Sequence, residues 1–148
     1  MSTCRHCRAV SRPSWTPSPL QQGARVLEVG CGSGAAAREV ARRIGSGHVL
    51  AIDRSARAIA QALAGSQPEI EAGVLTFRQA AVEDFVLEQD EVRFDLVFAV
   101  RVGALDGRHP DAGLLALARL REAVLPGGRL FIDSGDPLRG VKLHQEPA

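Results

Sequence analysis

The sequence predicts an α/β fold: a doubly wound, mostly parallel sheet of about five strands with helices on both faces. Three observations predict it. Short apolar stretches rich in β-branched residues alternate with segments whose apolar residues recur at helical spacing. The first apolar stretch runs directly into a glycine-rich turn that opens a helix, VLEVGCGSGAAA at 26–37. A later stretch, FDLVFAV, is apolar almost throughout, as a strand covered on both faces must be.

The elements follow in order. Residues 11–23, SRPSWTPSPLQQG, hold three prolines and three serines, which break helix and strand alike. Residues 1–22 are therefore expected to form a flexible lead-in, pinned to the surface by Trp15 and Leu20, with the folded domain at 23–148. ARVLEVG is the first strand. In AAAREVARRI the apolar residues Ala37, Val40, Ala41 and Ile44 form one stripe, and Gly45-Ser46-Gly47 ends that helix. HVLAID is the second strand. Ser55 is the expected N-cap of ARAIAQALAGS, because its hydroxyl can accept an orphan N–H of the first turn. VLTFRQA is the third strand, and AVEDFVLEQDEVR leaves room only for a turn of helix and a loop before FDLVFAV, the fourth. DAGLLALARLREAV reads as an amphipathic helix, Pro126-Gly127-Gly128 as a turn and RLFID as the fifth strand. Beyond Asp133 no strand pattern is visible, so the sheet is expected to stop there. The open edge this leaves must be covered by the C-terminal tail or by a second copy in a homodimer.

Composition narrows the function classes. With 148 residues the chain is long enough for one core, and 45% apolar with 24% charged residues is ordinary for a globular protein. A net charge of +1 provides no field toward nucleic acid or an anionic membrane. No apolar run approaches a membrane-spanning length, and no secretory signal follows the N-terminal arginines, so a cytoplasmic location is the default expectation. Cys4 and Cys7, with His6 between them, form half of a zinc site without a second pair, so neither a metal nor a disulfide framework is expected. Phe77, Phe94, Phe98 and Phe131 all lie on expected strands, which leaves no stacking platform for single-stranded nucleic acid.

The glycine corner carries the functional signal. Gly30, Gly32 and Gly34 allow close approach of a ligand to the main chain, and the helix that starts near Ala35 points free N–H groups into the same space. Asp53 ends the second strand, where a carboxylate can accept from both hydroxyls of a ribose; the other reading is a plain helix cap. Gly30-x-Gly32-x-x-Ala35 also satisfies the dinucleotide fingerprint. Glu28 argues against that ligand. An acid two residues before the first glycine gains nothing from a pyrophosphate, whereas an ammonium needs such a partner.

VLEVGCGSG, AIDRS, FDLVFAV and LPGGRLFI, in this order and spacing, resemble the class I S-adenosylmethionine-dependent methyltransferases over about residues 24–134. The resemblance implies a Rossmann-like fold and S-adenosylmethionine as cofactor. It implies that Glu28 faces the methionine ammonium, directly or through water, and that the Gly30, Cys31, Gly32 and Gly34 backbone lies along the methionine and ribose. It further implies that Asp53 holds the ribose hydroxyls, that Arg54 and Ser55 flank the adenine, and that the Val82 N–H meets the adenine ring. Val100, Arg101 and Val102 would line the methyl-donor side. Two departures stand out. Ala81 occupies a position where many relatives carry an aspartate, with Glu83 as a possible substitute. The C-terminal hairpin and the helical N-terminal extension that usually build the substrate cap are not found, so the chain reads as a minimal core.

Methyl transfer from a sulfonium needs alignment and exclusion of water, plus a base when the acceptor is a hydroxyl or an ammonium. The candidates lie in RVGALDGRHPD: Arg101, Asp106, His109 and Asp111. His109 has the suitable unperturbed pKa and, before Pro110, an extended or turn geometry at a helix entrance; the other reading is a loop histidine. Arg101 can meet an acidic acceptor or be a surface arginine, and Asp111 fits a helix N-terminus better than catalysis. A small-molecule acceptor follows by elimination. Two further functions stay open: a cofactor-binding module without turnover that completes a partner, on Ala81 and the missing cap, and a nicotinamide-dependent oxidoreductase, on the fingerprint alone.

Overall fold

The computed structural model describes residues 20–105, 107–132 and 139–143. The chain runs through β1 (Arg25–Val29), α1 (Ala35–Ile44), β2 (His48–Asp53), α2 (Ala56–Gly65), α3 (Gln67–Glu71) and β3 (Leu75–Gln79). A single 3₁₀ turn at Val82–Asp84 follows, then β4 (Phe94–Ala99), α4 (Pro110–Ala123), β5 (Val124–Ile132) and β6 (Arg139–Lys142). The strands form one six-stranded sheet in the order β3-β2-β1-β4-β5-β6. β1 to β5 are parallel, and β6 pairs antiparallel with β5.

Alternation along β1 divides the core into two layers, since successive side chains leave opposite faces of a strand. Val26 packs toward α1 with Ala37, Val40, Ala41 and Ile44, the four positions of the expected stripe. Leu27 and Val29 pack on the other face with Leu120 and Ala123 of α4 and with Phe85. Phe94, Phe98, Leu27 and Leu120 are fully buried, each contributing roughly 1.5–3 kcal/mol of apolar burial. Ser55 caps α2 as expected, its Oγ accepting from the Ala58 N–H at 3.2 Å.

Three local features differ from the sequence expectation. The sheet does not stop at five strands: Arg139–Lys142 lies on the outer edge of β5, Leu130 opposite Val141, so the C-terminal tail covers that edge. α3 is an extra five-residue helix with proline in its first turn. Pro126-Gly127-Gly128 does turn, but as a bulge inside β5. Val124 pairs with Phe94 and Arg129 with Leu96, and the residues between loop out of register. No helix among the described residues is long and apolar enough to cross a membrane. Cys4, His6, Cys7, Trp15 and Asp106 lie outside the described residues.

Strand order reverses between β1 and β4, and the crevice beyond their carboxyl ends is where such sheets take ligands.

Candidate functional site

A cleft of about 760 Å³ opens at that reversal. One end is lined by Gly30, Asp53, Arg54, Ala81, Val82 and Glu83. The other is lined by Arg101, Val102, Gly103, Arg108, His109 and Asp111. The turn after β1, the end of β2, the 3₁₀ turn and the entrance to α4 thus meet in one place.

The corner is held from two sides. Gly30 and Cys31 donate their N–H groups to the Ile52 carbonyl at 2.8 and 3.0 Å. The Gly32 N–H donates to Asp53 Oδ2 at 3.0 Å, and the Ser55 N–H to Oδ1 at 2.9 Å. Asp53 is therefore both a local cap and the tie of the glycine turn. Each of its oxygens keeps acceptor capacity, because a carboxylate offers about four lone-pair sites. Gly34 is the residue before α1, at φ 83°, and a β-carbon there would stand 2.9 Å from the Phe77 ring. The positive φ and the ring both select glycine.

Glu28 lies behind this turn. It is 4% exposed on β1, and its Oε2 is buried with no hydrogen-bond partner among the described residues. Burial first, then the neighbouring Asp53 charge, pushes its carboxyl up to about 8, while Arg38 pulls the other way. Cys31 is buried next to the same acids, and burial above all lifts its thiol to about 12. Glu28, Cys31, Gly32 and Gly34 are not among the residues that line the cleft.

On the adenine side of the expected layout, Ala81 and Glu83 are half-buried and Val82 is buried. The turn's own bonds run from the Asp84 N–H to the Ala81 carbonyl and from the Phe85 N–H to the Val82 carbonyl, which leaves the Val82 N–H outside them. Across the cleft, Val102 rests on Gly30, so that a β-carbon on Gly30 would come within 2.7 Å of its Cγ2. Arg101 holds a left-handed φ of 59°, uncommon for a residue with a side chain. Its carbonyl accepts from Arg108 Nη2 at 3.1 Å. His109 is exposed, immediately precedes α4 and donates its N–H to the Gly103 carbonyl at 3.0 Å, the turn geometry its place before Pro110 implied. Asp111 lies in the first turn of α4. Val100 is not among the residues that line the cleft and packs, half-buried, against the α1-side core layer.

Sequence reasoning passed over Arg38, whose guanidinium reaches the glycine turn. The available signal was its place one helical turn after Gly34, on the same face of α1. Arg108, which lines the cleft, carried no signal beyond its neighbourhood.

The residues fit the S-adenosylmethionine that the resemblance implies. A buried carboxyl without a partner matches an amino-acid ammonium, and a strand-end carboxylate with spare acceptor sites matches ribose hydroxyls. The comparisons agree on the family. A model of the methyltransferase domain matches residues 26–128. The ubiquinone biosynthesis O-methyltransferase of Alkalilimnicola ehrlichii is 35% identical over 114 residues, covering 76% of this chain and 42% of that protein. Its counterpart in Xylella fastidiosa is 36% identical with the same coverage. A TehB-like SAM-dependent methyltransferase from Corynebacterium glutamicum superposes with a TM-score of 0.57 at 23% identity, over 75% of this chain and 54% of that one, a likeness of fold. The chain spans 42% of the length of the two O-methyltransferases it matches. With the domain model covering most of the sheet and the glycine corner, the chain belongs to the class I, Rossmann-like methyltransferase-domain family.

Proposed function

We propose that this domain binds S-adenosylmethionine in the cleft and transfers its methyl group to a small-molecule acceptor. The observation that carries the reading is Glu28, a buried carboxyl with an unpartnered oxygen directly behind the glycine turn. A nicotinamide cofactor would bring a pyrophosphate to that corner and leave the acid uncompensated.

When bound, S-adenosylmethionine supplies a methyl group already activated on a sulfonium. Glu28, buried with an unpartnered oxygen, would compensate the methionine ammonium, directly or through water. Gly30 to Gly34 would let the main chain approach the ligand, with Cys31 buried in the α1-side core layer. Asp53 accepts from the ribose hydroxyls, Arg54 flanks the adenine, and the Ala81–Val82 backbone meets its edge, with Glu83 taking the part of the acid that Ala81 lacks. Val102 and Arg101 border the path to the acceptor.

The two O-methyltransferase relatives favour oxygen as the methylated atom. For a hydroxyl acceptor, we assign His109 to take the proton that the hydroxyl loses on methylation. Arg101 orients an acidic group on the acceptor. These assignments rest on where the residues line the cleft.

Calorimetric titration with S-adenosylhomocysteine tests the reading. Saturable binding, lost in Glu28→Gln, is the expected result. Absence of heat at millimolar ligand from folded protein overturns it.

A further inference from the structure

Arg38 is half-buried on α1, and its Nη1 donates to two acceptors at once. One is the Ser33 carbonyl in the glycine turn, at 3.0 Å. The other is Ser66 Oγ, at 2.9 Å, where α2 ends and α3 begins. Ser66 is fully buried, yet its hydroxyl caps neither helix. Its hydroxyl oxygen accepts from the guanidinium. Two glycines leave room for that group: a β-carbon on Gly34 would lie 3.2 Å from Nη1, and one on Gly65 would lie 3.3 Å from it.

The same guanidinium stands over an electrostatic problem. The neighbouring Asp53 charge adds to the cost of ionising the buried Glu28, and the Cys31 thiol beside them adds no compensation. The register neighbours of Glu28 are Ala51 on β2 and Phe98 on β4, neither of them charged. From α1 the charge that reaches Glu28 in its favour is Arg38.

We propose that Arg38 is a positioning residue for the cofactor corner. By tying the Ser33 carbonyl to the Ser66 hydroxyl it sets the glycine turn, and by its charge it offsets the Glu28–Asp53 pair. Glu28 can then meet the donor's ammonium as a carboxylate. The inference rests on the reading that this corner takes S-adenosylmethionine.

The test compares wild type with Arg38→Met, which removes the charge, and Arg38→Lys, which keeps it. Two quantities are followed from pH 6 to 9: urea stability without ligand, and affinity for S-adenosylhomocysteine. Glu28→Gln serves as the reference that identifies the Glu28 titration. Arg38→Met is expected to move that titration upward by about one pH unit and to weaken binding about tenfold near neutral pH. Arg38→Lys is expected to hold the wild-type titration while losing part of the affinity, since a lysine cannot reproduce both bonds with the same geometry. An unmoved titration in Arg38→Met, with wild type binding normally, overturns the role of Arg38. Wild type that binds no ligand overturns the functional reading, and the ligand-free titration still decides whether Arg38 supports Glu28. Should Arg38→Met fail to fold, Arg38→Lys carries the affinity arm and Ser66→Ala the geometric one. Ser66→Ala is expected to weaken binding without moving the titration from that of wild type, and a shifted titration in Ser66→Ala overturns the electrostatic half.

Discussion

The backbone N–H of Gly32 donates to Asp53 Oδ2 across 3.0 Å, joining the turn after β1 to the end of β2. The other oxygen of Asp53 accepts from the Ser55 N–H at 2.9 Å, so one carboxylate fixes both the glycine turn and the entrance to α2. Asp53→Asn keeps the shape but turns one acceptor into a donor that faces an N–H. The expected cost is about 1–2 kcal/mol of stability. Affinity for S-adenosylhomocysteine should fall with it. Urea unfolding and calorimetry on the same samples check both. Unchanged stability would mean the carboxylate does not hold the turn.

Glu28 makes stability depend on pH in a direction opposite to that of a paired acid. Burial lifts its carboxyl from 4.5 to about 8, so between these values the folded protein keeps a proton that the unfolded chain has lost. This contribution is complete below pH 4.5 and disappears as pH rises through 8. Glu28→Gln has no such titration. It should therefore gain on wild type by up to a few kcal/mol between acid and pH 8.5, while losing cofactor affinity. Urea midpoints at several pH values check this, and a difference that stays constant with pH counts against it.

Binding should show the same group with the opposite sense. An ammonium beside Glu28 favours its ionised form, so uptake of the ligand near neutral pH releases a proton. Affinity for S-adenosylhomocysteine is expected to rise up to about tenfold per pH unit below 8 and to level off above it. Calorimetry in buffers of different ionisation enthalpy measures the released proton directly. No buffer dependence at pH 7 would separate Glu28 from the ligand.

How much of this was legible before the structure depends on how local each signal is. The glycine turn and the acid ending β2 belong to one β–turn–α–β unit, where spacing alone sets placement. Ser55 could be read as a cap for the same reason. β6 could not, because Arg-Gly-Val-Lys has no apolar alternation, and what makes it a strand is the free edge of β5. In β5, proline and two glycines signalled a turn ahead of RLFID, but not that the strand already begins before it, with Val124 paired to Phe94. Arg38 joins α1 to the junction of α2 and α3, a contact that exists only after both have packed on the sheet. The left-handed backbone of Arg101 had no signal at all, since arginine does not favour it.

Cys31 should be chemically silent in the folded protein. Its side chain is buried, and the thiol is pushed up to about 12, so the reactive thiolate is scarce at pH 8. Iodoacetamide followed by peptide mass mapping should label Cys31 only in denaturant. Rapid labelling of the native protein would show that the corner opens often.

Gly30 lines the cleft at a position of steric demand. Its φ of 74° is costly for any residue with a β-carbon, and that carbon would stand 2.7 Å from Val102 Cγ2. Gly30→Ala is expected to lose about 1–3 kcal/mol, the sum of backbone strain and the clash. The two parts are separable, because Val102→Ala removes the methyl group in the way and leaves the backbone demand untouched. The double variant should therefore recover part of the stability lost by Gly30→Ala, measured against Val102→Ala alone. Ligand affinity should stay low in both, since the added methyl group would sit on a wall of the cleft proposed to take the cofactor. Full recovery of stability would leave no cost for the backbone angle. Absence of any recovery would mean that the loop carrying Val102 moves aside at no cost.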